Sequence, residues 1–354
     1  MIDLRTDTIT LPSPEMRQAM ADAQVGDDFY GEDPTIRALE AEAASALGKD
    51  AALYVPSGTM GNLIAHLTHA PAGGEVVGPE SAHSFLSEAG GPARVAGMMI
   101  RTYPQVAGEL DIGRIEQLIR PGSVLAAPTV LVWVEQPTRG FVIGLEDLGS
   151  LRRLADKHGL PIHFDGARIF NAAVALGVQA REIAAFADTV MFCVSKGLAA
   201  PVGSLVVGNA AFIERARVNR QMLGGGMRQA GIVAAGGLYA LHHNVARLAD
   251  DHANARRLAD GLRSITGIRV DRETVETNIL YADILRDDMT ALEFVERLRD
   301  HDVLINRPAA GRRTVRFVTH YGIEADDIEM AIDAIRSATE GLPVGQAASA
   351  APAP

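Results

Sequence analysis

Of the 33 basic residues in the chain, only Lys49, Lys157 and Lys196 are lysines. A lysine amine can condense with a carbonyl to an imine, whereas an arginine guanidinium stays protonated and cannot. Imine chemistry therefore has three possible homes. Lys49 lies in the polar turn Gly48-Lys-Asp50, and Lys157 lies in Asp156-Lys-His-Gly159 at the end of an amphipathic helix, so both read as solvated surface charges. Lys196 differs, because it follows the apolar run Thr189-Val-Met-Phe-Cys-Val-Ser195 and precedes Gly197. That puts it where a buried strand ends, and in open α/β sheets the carboxyl edge is where ligands bind. A lysine snorkelling from a strand end is the plain alternative. Partial desolvation at such an edge frees an amine to attack a carbonyl, and the Ser-Lys-Gly setting favours that reading.

If the carbonyl belongs to pyridoxal 5′-phosphate (PLP), an acid is needed beside the pyridine nitrogen, since the protonated ring drains electrons best from the α-carbon of an amino acid. Asp165 fits: it ends the run Leu160-Pro-Ile-His-Phe164 and is followed by Gly166, whose missing side chain allows close approach. The 31 residues from Asp165 to Lys196 hold one helix and one strand, which brings both to the same sheet edge. Alone, Asp-Gly is only a turn signal. A phosphate needs backbone amides, and Pro56-Ser-Gly-Thr-Met-Gly-Asn62 supplies a strand end, a turn and a helix start, with Ser57, Gly58 and Thr59 at the anion-attracting terminus. By itself such a turn merely caps a helix. His83 follows the strand near Val77 and could lie flat on a cofactor ring, although a lone histidine is more often structural. Arg168 and Arg316, the latter inside Val315-Arg-Phe-Val318, are candidates for a bidentate pair with a substrate carboxylate. An ordinary salt bridge is the competing explanation for Arg316.

The elements that must position these residues are legible as apolar runs bounded by Gly, Pro or Asp over residues 51–56, 75–78, 98–103, 130–134, 160–164, 189–194 and 204–207. Helical spacing intervenes over residues 36–47, 60–67 and 145–158, which gives a β/α rhythm and predicts an α/β domain with a mostly parallel central sheet. After Gly224-Gly-Gly226 the rhythm stops, and residues 229–264 read as one long helical stretch within which a second domain begins. Strand-like residues 279–283 and 314–318 with helical residues 292–299 and 326–338 predict a small α+β unit. The expected division is a large domain over residues 1–245 with an N-terminal arm over 1–15, a small domain over 246–341, and a tail over 342–354. That tail carries too little apolar surface to pack and is expected to be disordered.

At 354 residues, with 47% hydrophobic and 22% charged residues, the chain can bury a large core. No apolar run approaches the roughly 18 to 20 residues that a membrane span requires. A net charge of -11 disfavours nucleic acid, which asks for a basic face. Asp3, Arg5 and Asp7 interrupt the place where a secretory signal would be apolar, so a cytoplasmic location is expected. The single cysteine, Cys193, sits in an apolar run; it excludes an intrachain disulfide and reads as a buried structural thiol.

With these residues assembled, the chain resembles the low-specificity L-threonine aldolases, PLP enzymes of the aspartate-aminotransferase fold, also called fold type I, from residue 2 to about residue 340. The motifs that carry the resemblance are Ile2-Asp-Leu-Arg-Thr-Asp-Thr8, Val25-Gly-Asp-Asp-Phe-Tyr-Gly-Glu-Asp-Pro34, Asp165-Gly-Ala-Arg-Ile-Phe-Asn171, Ser195-Lys-Gly197, Pro201-Val-Gly-Ser204, Gly224-Gly-Gly-Met-Arg-Gln229, Asn244-Val-Ala-Arg-Leu248 and Val315-Arg-Phe-Val-Thr-His320. The resemblance implies that Lys196 is the Schiff-base lysine, Asp165 the pyridinium partner and His83 the ring-stacking group. It implies Gly58 and Thr59 for the phosphate, and Thr6, Arg168 and Arg316 for the substrate carboxylate, with Thr6 where the family more usually has serine. It also implies retro-aldol cleavage of an L-β-hydroxy-α-amino acid, and a homotetramer built from dimers that share active sites. Two departures stand out. The family's Glu-Asn-Thr-His-Asn-Gly is Glu135-Gln-Pro-Thr-Arg-Gly140 here, which sets Thr138 at a histidine position, and a bulky position after His83 is Ser87. Both fall where the β-substituent of the substrate would lie. β-Elimination or racemisation on the same scaffold is the nearest rival reaction.

Overall fold

The computed structural model describes residues 1–70, 72–270 and 275–340. The chain separates into two compact units, Thr10–Leu248 and a second made of Met1–Ile9 with the chain from Ala249 onward.

The first unit is built on β1 (Ala51–Val55), β2 (Glu75–Pro79), β3 (Met99–Tyr103), β4 (Thr129–Glu135), β5 (Ile162–Asp165), β6 (Thr189–Cys193) and β7 (Ser204–Gly208). All seven coincide with the apolar runs of the sequence. They form one sheet in the order β1-β7-β6-β5-β4-β2-β3. Strand β7 runs antiparallel to both neighbours and every other adjacent pair is parallel. Successive side chains point to opposite faces of a sheet, and here both faces are covered. Tyr54, Val132, Val134, Phe164 and Phe192 join Leu39 and Leu151 in one core, whereas Leu53, Val55, Met191 and Val206 pack with Ile64, Phe212 and Ile213 in another. Two-sided burial is why the central strands read as continuous apolar runs rather than as alternating ones, while the edge strand β3 leaves Met99, Ile100 and Thr102 exposed.

The helices begin and end where local chemistry dictates. Asp33 caps Pro34–Leu47 by accepting from the Thr35 and Ile36 amides at 3.0 Å, and Gly48 closes that helix in the left-handed region at φ 61°. Helix Leu145–His158 carries Glu146 and Asp147 in its first turn and Lys157 and His158 in its last, in accord with the helix dipole.

One predicted element divides. Residues 229–264 form two helices, Gly231–His243 and Leu248–Arg263, rather than one. Between them Asn244 donates to the carbonyl oxygen of Leu198 at 2.7 Å and Arg247 donates to that of Gly197 at 3.4 Å, so tertiary hydrogen bonds interrupt the helical run.

The second unit holds a three-stranded antiparallel sheet, β8 (Ile268–Val270), β9 (Ile279–Ile284) and β10 (Thr314–Val318), in the order β10-β9-β8. Helices Ala291–Asp300 and Ala325–Glu340 contribute Phe294, Leu298, Ile328 and Ile335 to its core. The extreme N-terminal segment differs from the expected arm of the large domain. Ile2–Asp3 pairs in parallel with Val303–Leu304, and Leu4 is fully buried in this second core, so Met1–Ile9 belongs to the small unit. The expected tail at 342–354 lies outside the described residues. Among the described residues no helix is long and apolar enough to cross a membrane.

Candidate active site

Asp165 is the last residue of β5, and Lys196 stands three residues beyond the end of the adjacent parallel strand β6. The lysine sits in a tight turn: its carbonyl accepts the Ala199 amide at 2.8 Å, and the Ala200 amide returns to the Val194 carbonyl at 3.0 Å. Ala199 takes φ 62°, an uncommon left-handed value for a residue with a Cβ. The Asn244 and Arg247 hydrogen bonds grip the two residues that follow the lysine, so the interruption between the two helices also anchors this turn. A Cβ on Gly166 would lie 2.8 Å from Val190 Cγ1, so the absent side chain is what lets the turn after Asp165 press against β6.

The other two lysines occupy different environments. Lys157 is exposed and paired with Glu116 at 2.7 Å. Lys49 is not the solvated charge its sequence setting suggested. Its amine donates to the Ala187 carbonyl at 2.6 Å, and burial lowers its pKa from the usual lysine range.

Around Asp165 the polar contacts form a chain. Asn62, fully buried on helix Gly58–His69, donates from Nδ2 to Asp165 Oδ2 at 2.8 Å and to Glu88 Oε1 at 2.9 Å. His83 Nδ1 meets the same Glu88 oxygen at 2.9 Å, and Asp165 Oδ1 accepts the Ala167 amide at 3.1 Å. The His83 side chain is 53% exposed, which leaves its ring free to cover a flat ligand. Its hydrogen bond to Glu88 raises its pKa, against the opposing effect of burial, and the charges of Asp165 and Lys196 also act on it. Glu135, at the end of β4 beside Asp165, accepts the backbone amide of His83. Burial first, and then the charge of Asp165, push the Glu135 carboxyl up to about 8, so it is largely neutral at pH 7. His83, Glu88 and Asp165 offer ligand atoms within 4.8 Å of one another. Hydrogen bonds from Asn62 and His83 meet at Glu88 Oε1, and a further one from Asn62 reaches Asp165 Oδ2, so the three side chains belong to one network.

Ser57 caps helix Gly58–His69 by accepting the Met60 amide at 3.2 Å, and the residues at its start, Gly58 and Thr59, are partly or fully exposed. This is the amide-rich terminus an anion would occupy. A Cβ on Gly58 would come to 3.0 Å from the Cys193 sulfur, so glycine allows that terminus to lie close on β6. Arg168 is half-buried in the turn after Asp165, at the start of helix Ile169–Leu176. Ser87 is exposed one residue before Glu88. Thr138 is buried, 3% exposed, in a turn where its amide and carbonyl bond those of Phe141 at 2.9 and 2.8 Å. In the small unit, Arg316 lies on β10 opposite Tyr281 and donates to the Arg5 carbonyl at 3.3 Å, which draws it to the segment that carries Thr6. Thr6 Oγ1 lies 3.1 Å from Thr8 Oγ1.

Lys196, Asp165 and His83 stand out in the sequence, whereas Asn62, Glu88 and Glu135 do not. Glu135 carried a signal, a carboxylate ending an apolar run just as Asp165 does. Asn62 and Glu88 carried none, being polar residues in a helix and a turn.

Behind the His83 turn, Ser84 Oγ bonds His66 Nε2 at 2.9 Å, and His66 stacks on Trp133 at 4.1 Å. His69 and His163 share the Thr189 hydroxyl, at 2.6 and 2.8 Å. Burial pushes His66 down to about 3, His69 down to about 4, and His163 well below the ordinary imidazole value. These histidines stay neutral in the fold but gain protons when unfolded below their ordinary value, so stability is full above about pH 6.5 and falls as pH drops. At pH 5 each costs about 2 kcal/mol, and Glu135, whose neutral form the fold favours, offsets about the contribution of one histidine. The urea midpoint is therefore expected to fall between pH 6.5 and pH 5. A midpoint that stayed constant would mean that these histidines accept protons in the folded protein.

A family model described as beta-eliminating lyase matches residues 3–285. The chain is 46% identical over 336 residues to the probable low-specificity L-threonine aldolase 2 of Arabidopsis thaliana, covering 93% of this chain and 94% of that one. It is 43% identical over 329 residues to the low specificity L-threonine aldolase of Escherichia coli K12, covering 93% and 96% respectively. Among solved structures, the threonine aldolase of Leishmania major superposes with a TM-score of 0.81 at 20% identity, over 95% of this chain and 99% of that one. That likeness carries the fold.

Proposed function

This chain belongs to the beta-eliminating lyase family, and from that premise we propose that it cleaves L-threonine, L-allo-threonine or a related L-β-hydroxy-α-amino acid to glycine and an aldehyde. The observation that carries the reading is the pair formed by Asp165 at the carboxyl end of one strand and Lys196 just beyond the carboxyl end of its parallel neighbour. The donor set fits pyridoxal 5′-phosphate: a primary amine, a carboxylate held by two donors, a helix N-terminus and an exposed imidazole ring. Bound there, PLP supplies an electron sink for the bond broken at the α-carbon.

Lys196 would provide the amine that holds the cofactor. Asp165 would hold a proton on the ring nitrogen, Ser57, Gly58 and Thr59 would hold the phosphate, and the His83 ring would cover one face. Thr6, Arg168 and Arg316 are assigned to the substrate carboxylate. Their task is orientation, since only a bond held perpendicular to the cofactor ring breaks readily, and such positioning is worth about 7 to 11 kcal/mol in favourable cases. Because Nδ1 of His83 is engaged by Glu88, Nε2 is the atom left to receive the proton of the β-hydroxyl, directly or through water. Thr138 replaces the family's histidine and cannot do so.

The small side chain of Ser87 leaves room for the β-substituent. L-Phenylserine is therefore expected to be a good substrate beside L-threonine, and Ser87→Phe to lower kcat/KM for phenylserine about tenfold more than for threonine. Glycine and aldehyde in equal amounts from each substrate would establish the reaction. Ammonia with a 2-oxo acid would move the protein to β-elimination, and the D-enantiomer without cleavage would move it to racemisation.

The same reading has the protein as a cytoplasmic homotetramer, a dimer of dimers with active sites shared between subunits. The exposed Leu11, Phe29 and Tyr30 support it, being large apolar side chains available to a second copy.

A further inference from the structure

The network around Asp165 contains two buried residues that have no contact with substrate or cofactor in the proposed mechanism. Asn62 is fully buried and Glu88 is 6% exposed. One nitrogen of Asn62 serves both carboxylates, at 2.8 Å to Asp165 and 2.9 Å to Glu88, while its own Oδ1 is buried with no hydrogen-bond partner. A buried acceptor left unmade is unfavourable, so the orientation of the amide is dictated by the two acids and not by its own oxygen. Glu88 in turn holds His83 through Nδ1. The backbone turns sharply just past it, with Ala89 at φ 54° and Gly90 at φ 72°, and a non-glycine residue in that region marks a conformation that the surroundings enforce.

We propose that Glu88 and Asn62 are positioning residues that form a continuous relay, His83–Glu88–Asn62–Asp165, linking the ring that covers one face of the cofactor to the carboxylate that meets its pyridine nitrogen. This rests on the assignment of the site to PLP. Through the relay, a charge gained or lost at one end is felt at the other. Glu88 is the hinge of the coupling, because it touches His83 directly and Asp165 through a single amide. The charged and titratable groups that face His83 are Glu88, Asp165, Lys196 and Glu135, the last through the His83 backbone amide. Burial, and then the charge of Asp165, raise the pKa of Glu88, while its hydrogen bond to His83 acts the other way.

The test uses the PLP-loaded enzyme with carbon-labelled histidine, the His83 resonance being identified by its loss in His83→Gln. Glu88→Gln keeps the shape and an oxygen for His83 Nδ1 but removes the charge. We expect the proton affinity of His83 to fall about tenfold, and the pH at which the visible absorbance of the bound cofactor changes to move with it. A residue that only filled space would alter thermal stability and leave both titrations where they were; that result overturns the relay. If Glu88→Gln does not fold, Glu88→Asp withdraws the carboxylate by one methylene, and the same two titrations should move in the same direction by less, with no movement again overturning the relay. Asn62→Leu cuts the relay in the middle, and is expected to move the cofactor titration while leaving the His83–Glu88 contact. A protein that bound no PLP would give no visible absorbance, which would sink the functional reading, while the His83 resonance would still report on its coupling to Glu88.

Discussion

Lys196→Arg is expected to lower glycine release on the order of a thousandfold or more, because the substitution keeps the charge and most of the length but removes the amine that must bond to carbon. Neither remaining lysine can replace it. Lys49 spends its amine on the Ala187 carbonyl, and Lys157 is held by Glu116. Borohydride treatment of the PLP-loaded protein followed by peptide mass mapping should find the cofactor on the Lys196 peptide, and in the variant on none. If the variant retained a tenth or so of the activity, or the label appeared on Lys49 or Lys157, the assignment of Lys196 would fall.

The second large effect is expected at Asp165. Asp165→Asn is isosteric, yet it loses the charge that keeps a proton on the pyridine nitrogen, and it turns an amide toward the Asn62 nitrogen that now donates to Oδ2. Removing one such preorganised electrostatic partner costs on the order of a hundredfold to a thousandfold in kcat. Saturating cofactor should not restore the rate if the loss lies in chemistry rather than binding. A PLP analogue methylated at the ring nitrogen, which carries its charge permanently, should recover part of it. Full activity of Asp165→Asn with ordinary PLP would mean that the ring nitrogen meets another group.

Much of this architecture was legible because local chemistry and global fold agree. The helix over 145–158 is framed by acids at its start, bases at its end and Gly159 at φ 64°, and every one of those signals is local. The central strands announced themselves because two-sided burial fills them with apolar residues, and the edge strand over residues 99–103, largely exposed, is marked instead by its place in the β/α rhythm. Lys196 and Asp165 could be paired because strand order follows from the β/α rhythm. The break at Asn244 could not be seen, since a helix-compatible sequence is stopped by bonds to Leu198 and Gly197, some 46 residues or more earlier in the chain. Lys49 misled for the same reason: its turn is polar, and the carbonyl that accepts its hydrogen bond is 138 residues away. Asn62 and Glu88 meet across 26 residues with no periodicity to connect them, so only the folded chain makes them neighbours.

The pairing of Ile2–Asp3 with Val303–Leu304 has a consequence for the order in which the molecule is made. Residues 10–248 are contiguous, so that unit can condense as it leaves the ribosome, in the manner of domains that fold as they are synthesised. The segment ahead of it has to wait while about 300 further residues are translated, its apolar Ile2 and Leu4 without their final neighbours, before the loop can close. Vectorial synthesis thus separates the two units in time: the unit that carries Lys196 comes first, and the unit that carries Thr6 and Arg316 is completed only when residues 2–3 meet residues 303–304.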